Sequence, residues 1–188
     1  MNPIKLCGNW TDGYALDNHV IQSVYIGEDP FGHPRFDTTR SELGELLYKM
    51  KYNGHHNTTK DIMEIITPFL NEWLSDKQID VVIPVPPSHL RDVQPVFLLA
   101  EAIADKYNTY YVEDVLIKIS SEESKNMPKN NKRVEGTISK RMVANRNRNI
   151  LLVDDLFSTG STVTECVNVL KTDPLVKDVY YLAITRTK

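Results

Sequence analysis

Cysteine is scarce in this sequence: Cys7 and Cys166 are the only two among 188 residues. That number excludes a disulfide framework and a four-cysteine zinc site. Long apolar runs are missing too, and none approaches the roughly 20 residues of a membrane span. An excess of either charge is absent: the formal net charge of −3 gives no overall pull toward nucleic acid. The opening Met1-Asn2-Pro3-Ile4-Lys5 lacks the apolar region of a secretory signal. Internal repeats and low-complexity tracts are not seen. What remains is the composition of a soluble globular protein, 41% hydrophobic and 25% charged. The length suits one domain, 1–188, with a substantial core. A reducing cytoplasm is the expected setting.

One stretch, Ile150 to Thr162, organises the chain. Ile150 to Val153 is a continuous apolar run, the pattern of a strand buried on both faces. Asp154 and Asp155 end that run. A small-residue turn follows, Ser158-Thr159-Gly160-Ser161-Thr162. Val163, Cys166, Val167 and Leu170 then recur at helical spacing. Small side chains let backbone N–H groups converge on an oxyanion, and Gly160 permits a backbone angle that a Cβ would resist. The helix start adds unpaired N–H donors and the positive end of its dipole. Ser158, Thr159, Ser161 and Thr162 offer hydroxyls. The carboxylates can accept hydrogen bonds from a diol, so phosphate and sugar side by side would make a ribose phosphate. An ordinary capped connection accounts for the turn alone. It does not account for two adjacent charges at the end of a buried strand, which cost stability unless something uses them.

Elsewhere the pattern alternates strand and helix. Residues 12–37 read as a small antiparallel meander, with turns at Asp17-Asn18 and Gly27 to Gly32. Thr39 with Glu42 reads as a capping box opening a helix that ends at Lys49-Met50-Lys51-Tyr52-Asn53-Gly54. A second helix starts near Thr58 or Thr59, with a kink or restart at Thr67-Pro68. Val81 to Val85 is a buried strand, a helix begins near Pro95, Tyr110 to Val112 is a short strand, and Val179 to Ile184 is the last. This order implies an α/β fold with a parallel sheet and right-handed crossovers. Residues 12–75 form the N-terminal meander and helices, and 79–188 the α/β core. Between Lys118 and Arg148 apolar periodicity nearly disappears and basic residues outnumber acidic ones. A basic arm just before an anion-binding strand suggests a lid over phosphates.

Val153-Asp154-Asp155-Leu156-Phe157-Ser158-Thr159-Gly160-Ser161-Thr162 closely resembles the phosphoribosyl pyrophosphate (PRPP) motif of type I phosphoribosyltransferases. The resemblance implies that family's parallel-sheet fold, with helices on both faces and a small N-terminal hood. It implies that Asp154 and Asp155 hold ribose hydroxyls and that Phe157 to Thr162 hold the 5-phosphate. A pyrophosphate loop then falls at Val85, Pro86, Pro87, Ser88 and His89 with Arg91, and a flexible lid at Lys125, Lys129, Lys132 and Arg133. Two further segments resemble the ComF-like (amidophosphoribosyltransferase-like) members, which are associated with competence. They are Lys49 to Gly54 and Ile83 to Arg91. The chain departs from those members in three places. Cys7 alone cannot make their cysteine-rich zinc element. Arg91-Asp92-Val93-Gln94-Pro95 lacks their glycine. Ser158 stands where purine-type enzymes carry an acid, which argues against standard purine salvage.

The implied reaction displaces pyrophosphate from C1 of PRPP by an unidentified base or amine, through positioning and electrostatics. Asp154, Asp155 and Arg91 would carry it. Mg²⁺ would arrive with the pyrophosphate rather than on protein ligands. His89 is a candidate phosphate contact or acid. The resemblance leaves a homodimer open. A rival from another class is a non-catalytic PRPP-sensing or single-strand nucleic-acid module, which the basic arm favours and the near-neutral pI disfavours.

Overall fold

The computed structural model describes residues 1–52, 58–87, 94–119 and 138–187. In chain order the elements are β1 (Ile4–Lys5), β2 (Asp12–Ala15), β3 (Val20–Glu28), β4 (Pro34–Arg40), α1 (Glu42–Tyr52), α2 (Thr58–Trp73) and β5 (Val81–Pro84). There follow α3 (Pro95–Lys106), β6 (Tyr110–Tyr111), β7 (Leu116–Lys118), β8 (Ile138–Lys140), β9 (Arg148–Phe157), α4 (Ser161–Leu170) and β10 (Val176–Arg186). Six strands form one sheet in the order β1-β2-β10-β9-β5-β6. Every neighbouring pair is parallel except β1 with β2, which is antiparallel at the edge.

β9 lies inside this sheet, with β10 on one side and β5 on the other. That position explains the unbroken apolar run from Ile150 to Val153, since both faces of the strand are covered. Strand alternation sends Ile150 and Leu152 to one face, with Val163, Cys166, Val167 and Leu170 of α4. It sends Leu151 and Val153 to the other, with Leu43 and Leu47 of α1, Ile62, Ile66 and Leu70 of α2, and Leu99 and Ile103 of α3. Helices therefore cover both faces. All four α4 positions expected to be apolar are buried.

Several elements differ from the sequence-based expectation, most of them for a tertiary reason. β2 is not part of the meander: its residues pair in parallel with Tyr180 to Ala183 of β10. Of the expected meander, β3 and β4 alone pair antiparallel, as a ribbon separate from the main sheet and much of it exposed. Thr39 pairs with Gln22 in that ribbon, so it cannot cap α1. Ser41 does so instead, its buried Oγ accepting from the Gly44 N–H at 3.0 Å. Of the kink or restart expected at Thr67-Pro68 there is no restart: α2 runs through Pro68 as one helix, and the Thr67 hydroxyl donates back to the Met63 carbonyl at 2.6 Å. The basic stretch after Lys118 is also structured at its two ends. Lys118 pairs with Ile138 in the β7–β8 ribbon, while Lys140 and Arg148 reach Asp173 and Asn145. Among the described residues no helix is long and apolar enough to cross a membrane.

Candidate functional site

A cavity of about 330 Å³ opens where β5 and β9 end, at the carboxyl edge of the parallel strands. Open α/β sheets bind ligands along that edge. Asp154, Asp155 and Phe157 to Thr162 line it from one side, and Val85, Pro86 and Pro87 from the other. The remaining expected site residues, Ser88, His89, Arg91, Lys125, Lys129, Lys132 and Arg133, lie outside the described residues.

The turn has the geometry its composition suggested. Gly160 adopts φ 80° and ψ −1°, the left-handed region, and stands at the N-cap of α4. Gly160 has no side chain with which to cap the helix, and the Thr159 hydroxyl accepts a long bond from the Ser161 N–H at 3.4 Å. The hydroxyls of Thr159 and Ser161 bond each other at 2.9 Å, and Ser158 accepts from the Thr187 hydroxyl at 3.3 Å. Phe157 offers no polar side chain. Its ring packs beneath the turn, 6.1 Å from Tyr181 and 6.5 Å from Trp10 between centroids. The opposite wall supplies shape rather than donors: Val85 N–H is taken by the Val153 carbonyl at 2.7 Å, and Pro86 and Pro87 have none.

β9 does not stop at the acids. It continues to Phe157 because Leu156 and Phe157 pair with Thr185 and Arg186 of β10. Consecutive strand residues point to opposite faces, so the two carboxylates part company. Asp154 falls on the α4 face, where the Tyr181 hydroxyl donates to its Oδ2 at 2.9 Å. Burial and the neighbouring Asp155 charge push the Asp154 carboxyl up to about 7, against the opposing effect of that hydroxyl. Burial and the Asp154 charge likewise raise the Tyr181 phenol well above its ordinary value. Asp155 falls on the α1 face, where Lys51 Nζ lies 2.5 Å from its Oδ2. His19 stands nearby, its Nδ1 3.1 Å from the Thr185 hydroxyl, which in turn donates to the Asp155 carbonyl at 3.2 Å. Burial, then the cations Lys51 and Arg40, pull the His19 imidazole below its usual value. His19 is thus a neutral hydrogen-bonding group at neutral pH.

Lys51, Tyr181 and His19 were not singled out from the sequence. Lys51 read as a favourable charge at a helix C-terminus and Tyr181 as a strand former. Lys51 did sit in the Lys49 to Gly54 segment that carries the ComF-like resemblance. Nothing local marked Tyr181 or His19. Among the described residues no three His, Cys, Asp or Glu side chains gather as a metal cage.

No family model matches the chain, and no curated protein matches it. Solved structures do. Adenine phosphoribosyltransferase from Saccharomyces cerevisiae, complexed with D-2,5-dideoxy-2,5-imino-altritol 1,6-bisphosphate and adenine, aligns with a TM-score of 0.50 and 13% identity. The alignment covers 87% of this chain and 83% of that one. The fold is that of the type I phosphoribosyltransferases. The adenine phosphoribosyltransferase from Thermoanaerobacter pseudethanolicus aligns at a TM-score of 0.46 and 12% identity, over 87% of this chain and 95% of that one. The phosphoribosylpyrophosphate synthetase from Mycobacterium smegmatis gives 0.42 and 19%, over 64% and 33%.

Proposed function

We propose that this chain binds PRPP with its Mg²⁺ and transfers the 5-phosphoribosyl group to a base or amine, releasing pyrophosphate. One observation carries the proposal: two adjacent carboxylates and a left-handed glycine turn at a helix N-terminus share one cavity. The turn and the first N–H groups of α4 suit the 5-phosphate. Asp154 and Asp155 suit the ribose hydroxyls. In the reaction the acceptor's lone pair forms a bond to C1 while the C1–O bond to pyrophosphate breaks. The bonding electrons leave with pyrophosphate, positive charge gathers on the ring beside the two carboxylates, and the acceptor nitrogen releases its proton to solvent. Mg²⁺ travels as part of the substrate, through phosphate oxygens and water.

Arg91 and the loop Val85 to His89 are proposed to meet the pyrophosphate. Since Val85 to Pro87 present no free N–H, its donors would come from Ser88 onward. Lys125, Lys129, Lys132 and Arg133 are proposed to neutralise the leaving group. The wider proposal is a single cytoplasmic domain, 1–188, of ComF-like kind. The ring bisphosphate in the Saccharomyces cerevisiae neighbour is the ligand class expected here. A nucleic-acid module draws little support, because Lys140 is paired with Asp173 and Arg141 lies 4.0 Å from Asp114.

The test is calorimetric titration with Mg²⁺-PRPP, followed by pyrophosphate release across a panel of bases and amines. Micromolar to low-millimolar binding and release with one acceptor class are expected. No heat and no thermal stabilisation at millimolar Mg²⁺-PRPP would refute the proposal.

A further inference from the structure

Lys51 occupies an unusual place for a lysine in the last turn of a helix. Lys49, two positions earlier, behaves as an ordinary surface residue: it lies 3.8 Å from Glu45 on its own helix, with 43% of its side chain exposed. Lys51 leaves its helix and reaches Asp155 on β9, with 13% of its side chain exposed against 22% for Asp155. Both side chains line the cavity that holds the phosphate-sized turn. A brace between α1 and the sheet needs no such location. α1 is already fixed by Leu43, Leu47 and Met50, each at most 2% exposed.

The pair also retains binding capacity. An ammonium carries three N–H donors and a carboxylate about four acceptor positions. The Lys51–Asp155 contact joins one N–H to Oδ2. A hydroxyl group donates one hydrogen bond and accepts others. A donor and an acceptor side by side therefore match a hydroxyl that gives its proton to the carboxylate and receives one from the ammonium. A cis-diol presents two such groups at neighbouring carbons. Water competes less well for both at once, because charge-assisted bonds to a preorganised pair carry no ordering cost at the moment of binding.

We infer that Lys51, with Asp155, recognises the 2-hydroxyl side of the pentose, so that the cavity selects ribose over 2-deoxyribose phosphates. The inference rests on reading the cavity as a ribose-phosphate site. It adds a binding residue from the N-terminal part of the chain to the two acids.

The experiment titrates the full chain with ribose 5-phosphate, 2-deoxyribose 5-phosphate and inorganic phosphate at constant ionic strength. The wild-type chain should bind ribose 5-phosphate about tenfold or more tightly than its 2-deoxy analogue, by the usual weight of a charge-assisted hydrogen bond. Lys51→Met should bring that ratio to within about threefold of unity while phosphate affinity changes by less than about threefold. Lys51→Gln, which keeps N–H donors without the charge, covers the case in which Lys51→Met does not fold. It should lose most of the discrimination too. Three results overturn the inference in different ways. A wild-type chain that binds no sugar phosphate removes the ribose-phosphate reading itself. A wild-type chain that binds, with discrimination intact in both folded variants, removes only Lys51. Equal weakening of all three probes, together with a lowered melting temperature, makes Lys51 a brace.

Discussion

Gly160→Val separates the proposed anion-binding turn from everything around it. Gly160 has φ 80°. A non-glycine residue there costs about 1–2 kcal/mol from backbone crowding alone, and a β-branched one sits at the upper end or beyond. Space adds a second term. A Cβ on Gly160 would lie 3.0 Å and 3.1 Å from Cε2 and Cζ of the Phe157 ring. That ring packs against Trp10 and Tyr181, so it cannot swing clear as a surface side chain would. The turn has the fewest anchors and is the part that should move. The two terms together make the native turn cost roughly 2–4 kcal/mol, which is about thirtyfold or more in affinity for any anion that needs that turn. Sulfate and Mg²⁺-PRPP should therefore both bind at least about thirtyfold more weakly by calorimetry. Circular dichroism should show a folded protein with a melting point lowered by only a few degrees, because relaxation of the turn relieves most of the strain. Gly160→Ala should fall between the two. If Gly160→Val binds sulfate and Mg²⁺-PRPP within twofold of wild type, the turn is not the anion site.

Two further predictions concern the acids. Asp155→Asn should lower PRPP affinity by roughly ten- to a hundredfold while leaving sulfate binding intact, since hydrogen bonds to charged groups are worth about 1.5–3 kcal/mol. Because Lys51 loses its partner in the same step, adding Lys51→Met should weaken PRPP binding by less than the product of the two single effects, and full additivity in the cycle would count against the pair. Asp154→Asn should alter the dependence of stability on pH. A carboxyl raised in the folded state to about 7 contributes stability that is complete below its unfolded value near 4 and is lost as pH climbs toward 7. Wild-type stability should thus fall between about pH 4 and 7, whereas Asp154→Asn should show a flatter profile. At pH 8 the variant should be the more stable by about 1–2 kcal/mol, a figure reduced for the solvent that reaches the cavity. Parallel denaturation profiles for the two proteins across that range would show that Asp154 does not carry the effect.

What could be read from the sequence was local. The run Ile150 to Val153, the acids, the glycine turn and the helical stripe from Val163 to Leu170 lie within one strand-turn-helix, and each signal is a spacing within a few residues. Burial of all four stripe positions follows from that spacing. Long-range pairing was not legible. β2 is four residues long, and its parallel place beside β10 depends on a strand at the other end of the chain. The choice of Ser41 over Thr39 as the α1 cap depends on Thr39 pairing with Gln22. The extension of β9 through Phe157 depends on Thr185 and Arg186. Lys51 could not be assigned to Asp155 by any rule of helix spacing, because the contact exists only once α1 lies on that face of the sheet.

The same geometry changes why the acidic pair points to a ligand. From the sequence, two neighbouring carboxylates at the end of a buried strand looked costly enough to require one. The fold meets much of that cost by itself. Strand alternation turns the two side chains to opposite faces, and each finds a partner there, Tyr181 for Asp154 and Lys51 for Asp155. Part of the burden stays with Asp154 as its raised proton affinity. The acids alone would be compatible with a structural polar network across the sheet. What a structural network leaves unexplained is their position. Both carboxylates border the same cavity as a helix N-terminus whose preceding glycine is held left-handed, and that arrangement places acceptors for hydroxyls beside donors for an oxyanion. The case for a sugar phosphate therefore rests on complementary groups meeting in one cavity, not on the cost of two adjacent charges.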